Sequence, residues 1–186
     1  GGGGWTEQAT LDIAQFAEIF GLPVACVFRR QDLIDNRHQN YIGELGLGMN
    51  PKLVEQVNQS DLLIIVGARM GETSTNGYTL LDIPNPKQML IHVHSDTNEL
   101  GRVYQPTLKI NSNPAIFAAA AKTLKSSSLS FERNERLTES RRCYIEFIQP
   151  LKTNGGINLG EIVAYLSKSI PEDSYIANGA GNYTLW

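Results

Sequence analysis

Four short segments of the sequence carry residue types that could bind a phosphate or a nucleotide: 1–4, 67–71, 94–96 and 179–182. Three of them contain glycines, which let backbone N–H groups approach a phosphate closely, and a helix that follows adds a favourable dipole. Two side chains in these segments could also bind such a ligand. Arg69, within 67–71, could pair with a phosphate or stack on an adenine, and Asp96, within 94–96, could accept hydrogen bonds from a ribose. These residue types favour a nucleotide or diphosphate ligand.

The same glycines have a structural interpretation. A glycine between a strand and a helix is also needed for close packing in any α/β fold, whether or not a ligand binds there. Both interpretations stay open for Gly2, Gly3 and Gly67 on sequence grounds.

Other reactive side chains do not form a catalytic set. His92 and His94 fall on one face of a strand, about 7 Å apart, and could be a metal pair, but a third ligand is not evident and ordinary packing is favoured. The two cysteines, Cys26 and Cys143, have neither disulfide nor metal spacing, so an inert thiol is expected. We predict no catalytic residue and no metal site in this sequence.

The composition limits the class of partner. Of the 186 residues, 41% are hydrophobic and 19% are charged, and the formal net charge is −3, which is typical of a globular protein and not of a nucleic-acid binder. The longest strongly apolar run, 62–66, is too short for a membrane span, and no secretory leader opens the sequence. With two distant cysteines, these features favour a reducing compartment, the cytoplasm or an organelle matrix, over an oxidising one, and we expect the cytoplasm.

The elements that must position these segments alternate between strand and helix. Thr6 is a suitable N-cap for a helix that Gly21 ends, and Asn-Pro pairs at 50–51 and 113–114 open two more helices. Apolar runs predict strands at 23–28, 62–66, 88–93 and 108–110, whereas 29–48 looks irregular. This order predicts a doubly wound parallel α/β sheet, whose ligands bind beyond the carboxyl ends of the strands.

Beyond this sheet the sequence predicts further parts. The serines of 126–130 suggest a linker, and 131–148 suggest a charged connector helix. A buried strand is expected at 175–177, and both ends of the sequence look cut at strand-to-helix turns. The expected division is a central α/β domain at 1–125 whose first strand, before the glycine run, is missing, a linker and connector helix at 126–150, and the beginning of a second α/β domain at 151–186. The alternative for the glycine run is a flexible tag. The docking residues expected on the connector are Leu137, Tyr144, Phe147 and Ile148.

Several motifs together resemble one enzyme family. They are Ser-Asp-Leu-Leu at 60–63, Gly-Ala-Arg at 67–69, Ile-His-Val-His-Ser-Asp at 91–96, Leu-Gly at 100–101 and Asn-Gly-Ala-Gly-Asn-Tyr-Thr-Leu-Trp at 178–186. In this order they resemble the middle domain, and the start of the third domain, of thiamine-diphosphate-dependent enzymes. The acetolactate synthase large subunit shows the most similar pattern. The resemblance implies a Rossmann-like (DHS-like) fold of the NAD/FAD-binding type.

The resemblance also implies ligands. Ala180, Gly181, Asn182 and Tyr183 match positions that contact thiamine diphosphate, whose Mg²⁺ motif and activating glutamate belong to other parts of such enzymes. In flavin-containing members the middle domain holds FAD, but of the two arginines that frame the family's stretch only the first, Arg69, is kept here. The positions implied for a site that takes FAD or ADP are Gly2, Gly3, Gly67, Arg69 and Asp96.

By the same resemblance, the parent protein decarboxylates a small-molecule 2-keto acid and transfers the remaining carbons to an acceptor, as in branched-chain amino acid biosynthesis. A homo-oligomer is expected, with no nucleic acid and no membrane as partners, and the present chain alone is expected to be inactive. The alternatives are another 2-keto acid decarboxylase, a glyoxylate carboligase, an aldehyde lyase, a nucleotide-binding regulatory module without chemistry, and a scaffold that binds nothing.

Overall fold

The computed structural model describes residues 1–126, 130–177, 179 and 181, which fall into two compact units, Gly1–Tyr144 and Ile145–Trp186. The strands of the first unit are β1 (Val24–Val27), β2 (Tyr41–Leu45), β3 (Leu62–Val66), β4 (Met89–His94) and β5 (Leu108–Asn111). The helices along the chain are α1 (Glu7–Phe20), α2 (Pro51–Gln59), α3 (Pro114–Ala121), α4 (Phe131–Phe147) and α5 (Leu159–Ser169).

All strand pairs are parallel, which confirms the predicted α/β class. β1 pairs with β2, with Val27 opposite Leu45. β3 pairs with β4 from Leu62 to Val66, and β4 pairs with β5. Leu63 and Ile65 of β3, which point to the same face of the strand, join the main apolar core with α2, whereas α1 and α3 pack against each other elsewhere.

Local signals define the helix ends as predicted. The Thr6 hydroxyl accepts a hydrogen bond from the Ala9 N–H, and Gly21 ends α1 in the left-handed conformation with φ 61°. Asn50 and Asn113 cap α2 and α3 with their side-chain oxygens, each followed by proline at the first helical position. These caps satisfy N–H groups that the helices themselves cannot bond.

Two predictions within the first unit were wrong. Residues 29–48 are not wholly irregular, because they contain β2. Gly43 and Glu44 interrupt the apolar pattern of this strand, so the sequence does not indicate it. The apolar spacing along 113–124 predicts a helix that buries Ile116, Phe117, Ala120 and Leu124, but Ile116 is 68% exposed and Leu124, three residues after the end of α3, is 54% exposed. The buried face of α3 instead carries the small residues Ala118 and Ala121, which allow close packing on α1.

The contact between α1 and α3 contains an ion pair. Lys122, just after α3, donates to the Asp12 carboxylate of α1 at 2.7 Å, and Gln8 donates to the same oxygen at 2.8 Å. Asp12 is only 3% exposed, so these two donors replace its hydration.

The residues of α4 that belong to the first unit, up to Tyr144, pack within it more closely than a solvated connector would. Its Leu137 is buried, and its Arg141 donates to the carbonyl oxygens of Asn36 and Tyr41. The ring of Tyr144 lies edge-on to that of Tyr41. The other two expected docking residues, Phe147 and Ile148, belong to the second unit and are 48% and 50% exposed.

The second unit is described by α5 and the segments beside it. Asn158 caps α5 by accepting from the N–H groups of Gly160 and Glu161. The buried strand predicted at 175–177 was wrong, since these residues form no strand and Tyr175 is fully exposed. Among the described residues, no helix is long and apolar enough to cross a membrane.

Candidate functional site

The carboxyl ends of β3 and β4 meet the glycine turn that precedes α1, and this edge carries the first group of predicted site residues. Gly1 donates its amino N–H to the Val66 carbonyl at 2.9 Å, and Trp5 donates its indole N–H back to the Gly1 carbonyl at 2.7 Å. The N-terminal turn is thereby fixed against the end of β3.

Gly2 and Gly67 interlock at this point. Both have positive φ, 69° and 72°, a region that side chains other than glycine rarely adopt. A Cβ on Gly2 would overlap the Gly67 carbonyl, and a Cβ on Gly67 would overlap the Gly1 carbonyl and lie 2.9 Å from Cγ of Pro114. The two glycines are therefore required by packing, which accounts for them without a ligand.

Gly3 has a different environment. It is exposed, and a Cβ built on it would meet no atom within 4 Å. It lies four residues before α1, a helix of 14 residues whose first turn carries Glu7. Of the predicted glycines in the first unit, Gly3 is the one whose surroundings leave room for a ligand.

Arg69 lines a small cavity at the end of β3. Met70, His92, Glu99 and Tyr104 are among the other residues that line it. Its volume, about 10 Å³, has room for roughly one water molecule. An adenine or flavin ring does not fit inside it, so a nucleotide could only lie outside, along the exposed edge where Arg69 is found.

The two histidines of β4 have separate surroundings. His92 is buried and donates its Nε2–H to the Ala68 carbonyl at 2.8 Å, and burial lowers the pKa of its imidazole. His94 is partly exposed and accepts from the Asp96 N–H at 3.0 Å. The rings are 6.0 Å apart, and among the described residues no group of three His, Cys, Asp or Glu side chains could hold a metal ion.

Asp96 acts locally in the turn after β4. Its carboxylate accepts a hydrogen bond from the Asn98 N–H at 2.9 Å and so caps a short 3₁₀ turn. The side chain is nevertheless exposed, and its second oxygen is on the same edge of the sheet as the loop that carries Arg69. The structure thus brings Gly2 and Gly67 into contact, while Asp96 bonds within its own turn.

The second group of predicted residues mostly falls outside the described part of the chain. This applies to Ala180, Asn182 and Tyr183. Gly181 is described and is partly exposed. The prediction that these four contact thiamine diphosphate stays a prediction.

Sequence reasoning missed one residue of the first edge. Arg30, three residues after β1, donates a guanidinium N–H to the Gly2 carbonyl and pairs with Asp32 at 3.1 Å. It ties the glycine turn to the end of β1, and no local signal marks this contact, because the partners are 28 residues apart.

The two cysteines have different environments. Cys26 in β1 is buried, and burial raises the pKa of its thiol to about 11. Its thiolate is therefore disfavoured, as expected for an inert buried thiol. Cys143 on α4 is partly exposed and donates to the Glu139 carboxylate at 3.5 Å.

The sequence has relatives among characterised enzymes. Over its full length it is 24% identical to the acetolactate synthase large subunit of Corynebacterium glutamicum, and over 99% of its length it is 25% identical to the acetolactate synthase isozyme 1 large subunit of Escherichia coli. Over 64% of its length it is 29% identical to a sulfoacetaldehyde acetyltransferase of Alcaligenes xylosoxydans xylosoxydans. The alignments cover 30%, 32% and 20% of those proteins, so the chain spans a third of their length or less.

The central domain of thiamine pyrophosphate enzymes matches residues 1–121. This range begins at the glycine turn, includes all five strands, and ends with α3. The motifs that carried the resemblance from 60 to 101 fall inside it. The chain belongs to the thiamine pyrophosphate enzyme family and contains that family's central domain.

Proposed function

We propose that this chain is part of a thiamine-diphosphate-dependent enzyme that decarboxylates a 2-keto acid and joins the remaining carbons to an acceptor carbonyl, as in acetolactate synthesis. The observation that carries the proposal is the alignment of the whole chain, and not only of residues 1–121, with acetolactate synthase large subunits. The similarity extends through α4 and α5 into the segment that carries the 178–186 motif.

In this proposal the first unit holds the neighbouring domains in position, and the second unit contributes residues that bind thiamine diphosphate. The central domain at 1–125 and the connector at 126–150 hold their neighbours in place, and 151–186 begins the domain for thiamine diphosphate. Gly181 with Ala180, Asn182 and Tyr183 would hold the diphosphate end, since small residues and amide or hydroxyl donors suit phosphate oxygens. When bound with Mg²⁺, thiamine diphosphate supplies an electron sink for decarboxylation.

The test compares the purified 186-residue chain with the complete gene product, each supplied with thiamine diphosphate, Mg²⁺ and pyruvate. The complete protein should release CO₂ and form acetolactate, whereas the 186-residue chain should be inactive. Asn182→Ala in the complete protein should raise the thiamine diphosphate concentration needed for half-maximal activity, and Asn154→Ala, at an exposed asparagine, should not. Turnover of pyruvate by the 186-residue chain would contradict the positioning role.

A second reaction is suggested by one relative. The sulfoacetaldehyde acetyltransferase is 29% identical over 64% of the chain, and the acetolactate synthase of Mycobacterium tuberculosis is also 29% identical, over 55%, so identity in this part of the chain does not separate the two reactions. Offering the complete protein sulfoacetaldehyde and pyruvate separately distinguishes the two. Consumption of sulfoacetaldehyde by the complete protein, without acetolactate formation from pyruvate, would contradict acetolactate synthesis and support the reaction with sulfoacetaldehyde.

We also propose that a nucleotide such as ADP or FAD, if the first unit binds one, lies on the exposed edge by Gly3 and Arg69 and not in the cavity. Gly3 has open surroundings, and the Arg69 guanidinium could pair with a diphosphate. Titrating the 186-residue chain with ADP and with FAD by calorimetry tests this. Binding that Arg69→Met abolishes and Gly71→Ala preserves supports the site, and the absence of heat with both ligands favours a scaffold.

The proposal includes a cytoplasmic homo-oligomer. Large apolar side chains are exposed on two helices of the first unit, with Leu11 60% and Ile116 68% exposed, which suits burial against another surface. Light scattering of the complete protein should give a multiple of the protomer mass. A monomer at micromolar concentration would remove this part of the proposal.

A further inference from the structure

Within the described residues, two Asn-Gly pairs lie in exposed turns whose surroundings differ. Asn76-Gly77 follows a short 3₁₀ turn in the first unit, and Asn154-Gly155 lies in the segment before α5. Both asparagines are exposed. Asn-Gly pairs are chemically labile, because glycine has no Cβ to keep its backbone nitrogen away from the asparagine side chain.

The reaction of such a pair is intramolecular and needs only water. The glycine nitrogen gives its proton to water and attacks Cγ of the asparagine, so that the new N–C bond closes a succinimide ring. The side-chain nitrogen takes up a proton and leaves as ammonia. Water then opens the ring at either carbonyl and gives aspartate or isoaspartate, with no oxidation or reduction. In a folded chain, the glycine N–H must therefore be free of other bonds, and the main chain at the asparagine must be able to rotate.

The Asn76-Gly77 pair meets neither condition. The Gly77 N–H donates to the Glu72 carbonyl at 2.9 Å and closes the end of the 3₁₀ turn. The Asn76 side chain donates to Oγ1 of Thr79 at 3.1 Å, and the Thr79 hydroxyl donates to the Asn76 carbonyl at 2.7 Å. These bonds fix Asn76 in the left-handed conformation, with φ 51° and ψ 56°. Attack by Gly77 would first have to break them.

The Asn154-Gly155 pair meets both conditions. Within the described part of the chain, neither the Gly155 N–H nor the Asn154 side chain has a hydrogen-bond partner. Residues 151–157 are all exposed. A Cβ built on Gly155 would approach nothing closer than the Ile157 carbonyl, at 3.8 Å. The Gly155 nitrogen is therefore available for attack on Asn154.

Contacts at the two ends of this segment leave its middle unconstrained. The Asn158 side chain donates to the Leu151 carbonyl at 2.9 Å and accepts from the Gly160 N–H at 3.1 Å. These two bonds close the loop 152–157 and begin α5. Since neither bond involves the tip of the loop, rotation of the main chain at Asn154 breaks no hydrogen bond of α5.

We propose that Asn154 is a deamidation site of the folded chain, whereas Asn76 is protected by the turn that contains it. Both pairs have the same sequence and both asparagines are exposed, so hydrogen bonds and backbone conformation are what distinguish them. The product places a carboxylate in the loop before α5, and isoaspartate also adds a methylene group to the main chain there. This inference does not depend on the proposed reaction.

The test incubates the folded 186-residue chain at mildly alkaline pH and follows deamidation by mass spectrometry of tryptic peptides. Replacement of the amide NH₂ by OH is detected as a gain in mass, and isoaspartate is detected separately by enzymatic methylation. The three Asn-Gly pairs of the sequence lie on different tryptic peptides, which are 70–87, 153–168 and 169–186. Fragmentation of the second peptide separates Asn154 from Asn158.

Asn154 should react at least about tenfold faster than Asn76 in the folded chain, since several hydrogen bonds must break before Asn76 can react. In urea that unfolds the chain, the two rates should become equal within about twofold, because both pairs then lack these bonds. Equal rates in the folded chain would overturn the proposal. A difference that persists in urea would also overturn it, because the folded structure would then not be its cause.

Two variants test the cause at each site. Gly155→Ala should slow the reaction of Asn154 several-fold and leave the urea midpoint unchanged, because the added Cβ has room in the fold but obstructs the attack. Thr79→Ala should speed the reaction of Asn76 several-fold and leave Asn154 unaffected, because it removes the side-chain partner of Asn76. An unchanged Asn154 rate in Gly155→Ala would contradict attack by the Gly155 nitrogen.

Discussion

Replacing Gly67 by alanine tests whether the interlocked glycines hold the candidate site together. Gly67 has φ 72°, where a residue with a Cβ costs about 1–2 kcal/mol. The added Cβ also overlaps the Gly1 carbonyl and lies 2.9 Å from Pro114, and overpacking of this kind costs about 1–3 kcal/mol. The sum predicts that Gly67→Ala lowers the free energy of unfolding by about 2–5 kcal/mol.

The chain offers a matched control for this substitution. Gly71 is four residues later in the same loop, has an ordinary φ of −81°, and a Cβ built on it would meet no atom within 4 Å, so Gly71→Ala should change stability by less than about 0.5 kcal/mol. Urea denaturation followed by circular dichroism gives both values. If the free energies of unfolding of the two variants agree within about 0.5 kcal/mol, the contacts of Gly67 with Gly1 and Pro114 do not exclude a side chain, and the close packing of Gly2 and Gly67 is contradicted.

Three further substitutions or conditions test the first unit. Burial lowers the pKa of the Gly1 amine from 8.0 to about 6, so between these pH values the folded chain binds fewer protons than the unfolded chain. The free energy of unfolding should therefore fall by about 2–3 kcal/mol as the pH drops from above 8 to below 6. Urea titrations should show this loss, and Nα-acetylation should remove it. Lys122→Met should raise the pKa of Asp12, which hydrogen bonding from Lys122 lowers, and NMR titration would show no change if the ion pair is absent. Leu53→Ala, in the core at 2% exposure, should cost about 2–5 kcal/mol, against little for Leu11→Ala at 60% exposure; equal losses would contradict the assigned core.

The parts of the fold that local chemistry specifies were predictable. Thr6, Asn50 and Asn113 each carry a side-chain acceptor beside the N–H groups that need one, so the beginnings of their helices can be identified without knowledge of the rest of the chain. The strand β2 was missed because Gly43, at φ 116°, weakens the strand pattern and only the pairing with β1 supplies the missing stability. The buried face of α3 was missed because its small residues are selected by α1, a partner about 100 residues away.

The candidate site was predictable in its place but not in its division of roles. Placing Gly2, Gly67, Arg69 and Asp96 at the carboxyl edge requires only the order of strands and the rule for parallel sheets. That Gly2 and Gly67 touch each other, and that Arg30 donates to the Gly2 carbonyl, depends on contacts 65 and 28 residues apart in sequence. Residue type alone does not distinguish a glycine that packs from a glycine that binds.

The different surroundings of these glycines limit where a ligand can bind at the carboxyl edge of the sheet. At Gly2 and Gly67 a side chain would overlap backbone atoms, and the Gly67 N–H is already donated to the Val93 carbonyl at 2.8 Å, so it is not available to a phosphate. Gly3 and Arg69 are exposed, and a ligand could bind to them without such a change. If Gly3→Val abolishes nucleotide binding and leaves the urea midpoint unchanged, Gly3 is needed for binding, whereas Gly2 and Gly67 are needed for packing. If nucleotide binding survives Gly3→Val, the glycine turn is needed only for the fold.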